Sequence, residues 1–567
     1  MKSRILKRLV VFTVCFTMIG SLTACSEKNV NTSNNNTGNT ADSVENTDPF
    51  GAYEETLNLN IGRQTATNPK LPEGDTYDNN PYTRYVKNRL NIQITDEFEA
   101  NGDDYDRQVS LAIASGELPD VMKVNDRKTL YELVENDLIA DLTDVYQKYA
   151  SDNIKKIYDS YEGRVLNSVT DDGKLMALPS PNTSIDLSEV WVRQDWVEKL
   201  GMTVDPDGDG CISIDELHDI AKTFYQADPE NTGDPVGLAF AYYLNGSVEY
   251  CMTGIANAMG AYPRTYLKNE NGNVIYGSNT EEMKASLGIL ADWFKEGLID
   301  PQFGTRTWDD ISALLNNGQT GIAFGHWHIP DWGLINVKAM NPKAEFKSYA
   351  ISDKDGNANV TRCDELGSMI VVSKACKHPE AAIKIANLMY DEIPFSKNLQ
   401  KEAPEVYDAM IAGIDGSTRP FNMEIMSATN LVDDYNDIVN CVEGKITLDE
   451  VRTLESKTIV GNIQNYNKDP NNVQPNDWAK YTSRLSGLGL INNLTNSGKL
   501  KYIEPAFFGN TDNMEATGAN LVKLEEESFI KIVTGAEPSD YFETYVSEWM
   551  KQGGEKNIQE IETEIAK

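Results

Sequence analysis

The segment Leu118-Pro119-Asp120-Val121-Met122 decides the fold class, because the chain restarts there as a strand directly after a helix. The helix is predicted from Val109, Ala112 and Ile113, which recur at helical spacing before the stop Ser115-Gly116. Upstream, residues 56–61 alternate as a strand, 82–90 follow a helical pattern and 91–95 form a second strand. This alternation of strand and helix predicts an α/β lobe.

Seven short motifs follow one another along the chain in the order that is typical of one protein family. They are Ala114-Ser115-Gly116-Glu117-Leu118-Pro119-Asp120-Val121, Leu138-Ile139-Ala140-Asp141-Leu142, Asp172-Gly173-Lys174-Leu175-Met176-Ala177-Leu178-Pro179, Trp191-Val192-Arg193-Gln194-Asp195-Trp196, Lys295-Glu296-Gly297-Leu298-Ile299-Asp300, Gly321-Ile322-Ala323-Phe324-Gly325-His326-Trp327 and His378-Pro379-Glu380-Ala381-Ala382. Together they resemble the family 1 extracellular solute-binding proteins that serve ABC importers. The ending, 526–535 and 541–554, is similar to the large lipoprotein subgroup of Gram-positive bacteria.

The resemblance implies an α/β fold of two lobes, of the periplasmic-binding-protein type II, with the ligand held in the cleft between them. By analogy, the chain crosses between the lobes near 180–190 and returns near 349–366. Lobe 1 would comprise 53–185 and 350–420, and lobe 2 would comprise 186–349 and 421–567. From the residues themselves, Ser539 is expected to cap a docking helix with apolar positions Phe542, Val546, Trp549 and Met550 and with Gly553 at its close.

The resemblance favours a carbohydrate ligand, and sugars are recognised by flat apolar rings combined with polar groups in a concave site. Trp327 and Trp332 are the first candidates, because Gly325-His326-Trp327-His328-Ile329-Pro330-Asp331-Trp332 breaks a strand with turn residues. In maltose-binding relatives the Trp of the matching segment stacks on the sugar. The alternative is that both rings pack under the loop, as is expected for the helical Trp196, Trp293 and Trp549.

Four further candidates rest on their position at predicted strand ends, where open α/β sheets bind ligands. Arg63 follows the first strand, Asn125 and Asp126 follow the strand after Pro119-Asp120, and Tyr243 belongs to an aromatic run. Each could equally be a solvated loop residue.

Residues 205–216 match an EF-hand-like calcium loop at every specified position. Asp205, Asp207 and Asp209 would supply carboxylates, Cys211 its carbonyl, Ser213 a water and Glu216 a bidentate carboxylate to Ca²⁺. Helices are predicted at 194–200 and 217–226, so the context is helix, loop, helix. We expect the ion to stabilise the lobe and not to touch the ligand; the alternative is an acidic surface loop that binds nothing.

The N terminus reads as a lipoprotein signal peptide. Lys2, Arg4, Lys7 and Arg8 precede an apolar stretch too short to span a bilayer, and Leu22-Thr23-Ala24-Cys25 resembles a bacterial lipobox. Cleavage would leave Cys25 carrying acyl chains, which would anchor the protein to the extracellular face of the cell membrane. Residues 26–52 contain the polar stretch predicted to be a disordered tether.

The net charge and the absence of catalytic motifs exclude several classes of function. The formal net charge of −36 becomes −40 once the four cationic signal residues are removed, which disfavours nucleic acid and anionic ligands. Cys211, Cys251, Cys363, Cys376 and Cys441 are spaced too widely for a zinc motif and are expected to be mostly free, buried thiols. Nucleophile, Walker and dinucleotide signatures are absent, so an enzyme is not expected.

The resulting hypothesis is a binding protein that captures an oligosaccharide and delivers it to the permease subunits of an ABC importer. The alternative is a secreted calcium-dependent carbohydrate-active enzyme or an adhesion module. Peptide-binding families also use two lobes with aromatic clefts, so a peptide ligand stays open at this point.

Overall fold

The computed structural model describes residues 47–245 and 248–566. The predicted signal peptide, the lipidation site Cys25 and the tether up to residue 46 lie outside the described residues. None of the helices in the described ranges combines the length and apolar character that crossing a lipid bilayer requires.

The strands of the described residues are short and fall into two main sheets and three two-stranded pairs. In chain order they are β1 Leu57–Gln64, β2 Ile92–Ala100, β3 Val121–Val124, β4 Thr170–Asp171, β5 Lys174–Leu175, β6 Leu178–Pro181, β7 Glu189–Arg193, β8 Cys211–Ile212, β9 Tyr266–Lys268, β10 Val274–Tyr276, β11 Ile322–Gly325, β12 Phe346–Ile351, β13 Ala358–Thr361, β14 Leu366–Val372 and β15 Leu500–Ile503.

Helices surround the sheets and dominate the C-terminal third. They are α1 Pro81–Leu90, α2 Gly102–Ser115, α3 Arg127–Glu135, α4 Thr143–Tyr149, α5 Asp152–Asp159, α6 Arg164–Asn167, α7 Gln194–Leu200, α8 Ile214–Ala227, α9 Thr253–Ala258, α10 Glu281–Lys295, α11 Trp308–Asn316, α12 Leu334–Met340, α13 Glu380–Asn387, α14 Ile393–Phe395, α15 Leu399–Glu402, α16 Pro404–Ile411, α17 Asn430–Val442, α18 Leu454–Lys468, α19 Pro475–Tyr481, α20 Gly489–Asn496, α21 Asp512–Val533, α22 Tyr541–Trp549 and α23 Glu555–Ile565. Three π-helical segments, Leu388–Glu392, Thr482–Leu488 and Met550–Gly554, adjoin these helices.

The first main sheet has the order β2-β1-β3-β14-β6 and forms lobe 1. β1, β2 and β3 are parallel, whereas β14 runs antiparallel to both β3 and β6. Leu59 and Ile61 of β1 are buried because alternate side chains of the strand face the core. Gly62 lies where a Cβ would come within 2.5 Å of the Phe98 ring, so this position requires glycine for close packing.

The second main sheet has the order β11-β7-β12-β8 and forms lobe 2. β7 is buried along its whole length, as expected for a central strand with antiparallel neighbours on both sides. The short strand β8 pairs in parallel with β12 through Cys211 and Ile212. Each lobe has its own apolar core, and α21, α22 and α23 contribute Leu521, Phe529, Trp549 and Ile561 to that of lobe 2.

The chain passes from lobe 1 to lobe 2 through residues 182–188, between β6 and β7, and returns through 352–365, between β12 and β14. The crossings that the resemblance implied, near 180–190 and 349–366, stay a prediction. The returning segment carries β13, which pairs in parallel with β15 of the C-terminal part. The residue limits assigned to the lobes in the sequence analysis stay a prediction.

Local expectations are largely confirmed, with one correction at the C terminus. The α/β class is confirmed, Trp196, Trp293 and Trp549 are buried, and the five cysteines named above are free thiols, three of them buried. The prediction that Ser539 caps the docking helix is wrong, because that helix, α22, begins at Tyr541 with Asp540 at the cap position. Gly553 adopts φ 136° inside a π-helical turn, and the chain continues into α23 instead of ending there.

Candidate functional site

A continuous row of aromatic and imidazole rings follows the end of β11 in lobe 2. We call it the aromatic strip and define it as Tyr242, Tyr243, Trp308, Trp332, His328 and His326. Gly325, the last residue of β11, pairs with Glu189 at the first residue of β7, so the strip starts at the end of the sheet that faces the crossings. This is the edge at which ligands of open α/β lobes bind.

The tryptophan pair Trp308 and Trp332 forms the centre of the strip. Their rings stack nearly parallel, at an interplanar angle of 10° with centroids 5.1 Å apart. The Trp308 indole donates a hydrogen bond to the Tyr243 hydroxyl, and the edge of the buried Tyr250 supports the ring from 5.7 Å. Trp308 is nevertheless 40% exposed and Tyr242 is 42% exposed. The strip therefore presents rigid apolar rings to solvent, as a sugar-stacking platform requires.

Hydrogen bonds fix the imidazole end of the strip. Trp332 Nε1 donates to His328 Nδ1 at 3.0 Å, which requires His328 to be neutral with its proton on Nε2. Burial lowers the pKa of His328, and the positive charge of His326 lowers it further. The two imidazole rings stack with centroids 5.3 Å apart.

His326 connects lobe 2 to both crossings. Its Nδ1 donates to Glu249 and its Nε2 donates to Asp186 Oδ1 at 3.1 Å, while the Cys363 thiol donates to Asp186 Oδ2 at 3.0 Å. Burial alone would lower the pKa of His326, but the hydrogen bonds to Asp186 and Glu249 outweigh burial and raise it to about 9. His326 is therefore an imidazolium at neutral pH, held between two carboxylates.

Glu189 is a second titratable group beneath the strip. It is completely buried, and burial raises the pKa of its carboxyl well above the ordinary range.

Trp327 takes a different position from its two neighbours. Its backbone lies against Gly487 of the π-helical segment, where an added Cβ would approach the Trp327 carbonyl oxygen to 2.5 Å. The Arg484 guanidinium lies 4.9 Å from the Trp327 ring and also pairs with Asp331. The ring is partly buried, so Trp327 both packs against the C-terminal helices and retains some exposed surface.

A cavity of about 1380 Å³ lies between lobe 1 and the C-terminal helices that pack on lobe 2. Lobe 1 lines it with residues 125–128 and α3 and with the start of β14, and the opposite wall consists of 507–515 and α23. Its eight carboxylates and three cations are Asp126, Glu132, Glu135, Asp364, Asp512, Glu515, Glu560, Glu564, Arg127, Lys128 and Lys556. Asp364, which lines this cavity, follows Cys363 of the second crossing in the sequence.

The predicted ligand residues fall into three groups. Tyr243 and Trp332 belong to the strip, with Trp327 beside it, and Asn125 and Asp126 line the cavity. Asp126 also caps α3 by accepting from Thr129 N at 2.8 Å, and Asn125 donates to Asp106 at 2.9 Å.

Arg63 occupies an interior position. Its side chain is 1% exposed and forms an ion pair with Asp96 at 2.6 Å, because β1 continues to Gln64 and keeps Arg63 within the sheet. A ligand-binding role for Arg63, as for the other candidates, stays a prediction.

Trp308, Tyr242 and the pairing of His326 with carboxylates are not among the site features predicted from the sequence. The sequence does contain one local sign that Trp308 is exposed. Thr307 and Asp310 form a capping box, which places Trp308 in the exposed first turn of α11.

The motif 205–216 follows α7, and its last three residues form the first turn of α8, which begins at Ile214 and not at the predicted residue 217; the helix, loop, helix context is confirmed. Asp205 accepts from Asp209 N at 3.0 Å and from Gly210 N at 3.1 Å, which curls the loop around the Asp205 carboxylate. Gly210 has φ 84°, the left-handed conformation that this turn requires. Ser213 and Glu216 form the capping box of α8, and Ile212 is buried in β8.

Two lysines compete with a cation at this loop. Lys499 pairs with Asp209, and Lys347 Nζ lies 3.8 Å from Asp205 Oδ2. Within the part of the chain that the structure describes, no three metal-ligating side chains converge on one point. The all-oxygen donor set of Asp205, Asp207, Asp209, Glu216, the Cys211 carbonyl and Ser213 still fits Ca²⁺ in its chemistry.

Comparison with known proteins gives one family and a consistent set of relatives. A family model described as bacterial extracellular solute-binding protein matches residues 68–392. The fructooligosaccharide ABC transporter substrate-binding protein FusA of Streptococcus pneumoniae is 22% identical over 310 residues, which is 52% of this chain and 55% of FusA. The match thus spans about half of that relative. The polygalacturonan/rhamnogalacturonan-binding protein YtcQ of Bacillus subtilis is 20% identical over 470 residues, 80% of this chain and 82% of YtcQ.

Solved structures show the same fold at low identity. A solute-binding protein from Bifidobacterium longum infantis, described as binding HMO, superposes with a TM-score of 0.58 at 16% identity and covers 90% of this chain and 98% of its own. A FusA EF-hand mutant in complex with fructo-nystose has a TM-score of 0.54 at 15% identity, covering 90% and 99%. The two-lobed solute-binding fold implied by the motifs is thereby confirmed.

Proposed function

Because this chain belongs to the bacterial extracellular solute-binding protein family, we propose that it captures an oligosaccharide between its two lobes and delivers it to an ABC importer. The single observation that supports a sugar ligand is the aromatic strip, in which the exposed Trp308 stacks on Trp332. Such rings cover the C–H faces of a pyranose or furanose, and their rigidity reduces the entropy lost on binding. The names of FusA, YtcQ and the Bifidobacterium protein all refer to glycans, which supports this choice.

The position of the strip would allow one ligand to contact both lobes. His326 joins the strip to Asp186 in the first crossing, and Cys363 in the second crossing donates to the same carboxylate. Asp364, the next residue in the chain, lines the cavity, and lobe 1 forms one wall of that cavity. A glycan that lies on the strip would reach both lobes, and its binding would favour the conformation in which the lobes approach each other.

Binding requires no chemical step, and members of the family are binding proteins. We propose that this chain is likewise not an enzyme. The carboxylates Asp186 and Glu249 are committed to His326, which argues against their use as a hydrolytic acid and base.

The loop 205–216 is proposed to bind calcium in a structural role. Asp205, Asp207, Asp209, Glu216, the Cys211 carbonyl and Ser213 would hold the ion, whose charge would neutralise the clustered carboxylates. The loop is joined to the sheet of lobe 2, since Ile212 pairs with Ile351 of β12. The existence of a FusA EF-hand mutant, and therefore of an EF-hand in FusA, supports the proposal.

We further propose that Cys25 carries the lipid anchor that holds the protein at the extracellular face of the membrane, near the permease subunits of the importer. The support for this is the lipobox-like Leu22-Thr23-Ala24-Cys25 that follows a charged and then apolar N terminus.

A thermal denaturation screen tests the ligand class. Purified protein is heated with members of an oligosaccharide panel and, in parallel, with a panel of short peptides. A ligand that binds only the folded state raises its stability by RT ln(1 + [L]/Kd), about 2.7 kcal/mol at a hundredfold excess over Kd. We expect stabilisation by at least one oligosaccharide. Stabilisation by peptides alone would contradict the proposal.

A further inference from the structure

We propose that the ligand of this cleft is an uncharged glycan, and that the cleft rejects glycans built from uronic acids. This inference rests on the proposed function and specifies the substrate class of the same site. It matters because the names of the relatives include both kinds, a fructooligosaccharide binder and a polygalacturonan binder. The charges of the cleft decide between them.

Proteins that capture a carboxylate or phosphate in a cleft normally offer it Arg or Lys groups that are free to form charge-assisted hydrogen bonds. In this cleft the cations already have carboxylate partners. Arg127 makes a two-pronged contact with Asp364, with Nη2 3.0 Å from Oδ1. Lys128 reaches across the cavity to Asp512 at 3.0 Å and to Glu515 at 2.7 Å.

The other cationic side chains of the cavity and the strip also have carboxylate partners. Lys556 lies 3.4 Å from Glu560. The imidazolium of His326 at the end of the strip is held by Asp186 and Glu249. Beside Trp327, Arg484 is committed to Asp331. An incoming uronate would therefore have to break an existing ion pair before it could form its own.

Carboxylates outnumber cations in the cavity by eight to three, a surplus of five negative charges. The whole chain has the same sign, with a net charge of −36. A concave site with a large excess of one charge sign concentrates the potential inside it, so the carboxylates of an entering oligouronide are repelled. Neutral sugars experience no such repulsion, and their hydroxyls can donate hydrogen bonds to the same carboxylates.

Matched ligand pairs test the inference. A neutral oligosaccharide is compared by calorimetry with the same oligosaccharide after oxidation of its C6 hydroxymethyl groups to carboxylates, across several backbones, together with oligogalacturonate and its methyl ester. We expect the charged form to bind at least about tenfold more weakly than its neutral partner. The difference should shrink between about 0.01 and 0.15 M salt, because the Debye length falls from about 30 to 8 Å.

A variant that removes one carboxylate of the cavity should bind charged glycans more tightly. Asp364→Asn releases Arg127 from its carboxylate and should strengthen binding of the charged form by about fivefold or more, as expected for a new charge-assisted contact. Asp408→Asn, which removes an exposed carboxylate of α16 outside the cavity, is the matched control and should change neither affinity.

Three outcomes are distinguishable. Neutral binding with rejection of the charged partner supports the inference. Equal or tighter binding of the charged form, weakening as salt is added, overturns the inference and leaves the proposed function standing. Binding of no glycan in either form overturns both.

Discussion

Trp308→Ala tests whether the aromatic strip is a binding platform. The ring is 40% exposed and contacts Trp332, Tyr250 and the Tyr243 hydroxyl. Two aromatic pairs worth about 0.5 to 1.5 kcal/mol each predict a loss of folding stability of about 1 to 3 kcal/mol. Covering the exposed face with a sugar is worth about 1.5 to 3 kcal/mol of apolar burial. Loss of that face should weaken affinity about ten- to a hundredfold.

Two variants serve as controls in the same assay, with affinity measured by calorimetry and stability by denaturant unfolding. Trp308→Phe keeps a flat ring and should recover most of the affinity. Trp293→Ala removes a tryptophan from the core of lobe 2, where it is 6% exposed. That change should cost about 3 to 5 kcal/mol of stability, with little effect on the affinity of the molecules that remain folded.

Unchanged affinity in a folded Trp308→Ala protein would refute the reasoning for the strip. Trp327→Ala then becomes the decisive companion, since its ring carries the motif that resembles the sugar-stacking segment. The Arg484 guanidinium lies over that ring, so loss of Trp327 should also destabilise the π-helical segment Thr482–Leu488.

The remaining predictions concern the calcium loop, the anchor and the buried histidine. Chelation should lower the melting temperature of the wild-type protein and leave Glu216→Gln unaffected; Lys499→Ala should raise calcium affinity about two- to fivefold in calorimetry, because it removes a competing cation from Asp209. Cys25→Ser should move the protein from the membrane fraction to the soluble fraction of fractionated cells, and continued membrane retention would exclude the lipid anchor. The pKa of His326 rises from about 6.5 when unfolded to about 9 when folded. Its stabilisation, at most about 3 kcal/mol, should therefore be complete below about pH 6.5 and be lost as the pH rises through 9, a dependence that His326→Gln removes and His378→Gln keeps.

Features set by neighbouring residues could be predicted from the sequence. α7 was placed correctly at both ends, because its apolar pattern is followed by Gly201 in the left-handed conformation that ends the helix. α8 was predicted to begin at Leu217, three residues late, although the capping box of Ser213 and Glu216 marks its start at Ile214 within the calcium motif. The loop itself follows from its own carboxylates and glycine.

Features that depend on contacts between distant parts of the chain could not be predicted from the sequence. β14 joins the first sheet between β3 and β6, more than 180 residues earlier in the chain, and no local pattern specifies that partner. Trp308 was missed because its role arises from stacking on Trp332 and from Tyr243, which lie elsewhere in the sequence. Arg63 was expected at a free strand end, whereas Asp96 of the neighbouring strand holds it within the sheet.

The most direct test of the account is a calorimetric titration of the calcium-loaded, wild-type protein with the best oligosaccharide of the panel, followed by mass spectrometry of that oligosaccharide. The account predicts saturable binding of one glycan per protein and recovery of the glycan at its original length. Absence of binding across the panel, or recovery of shortened glycans, would contradict it.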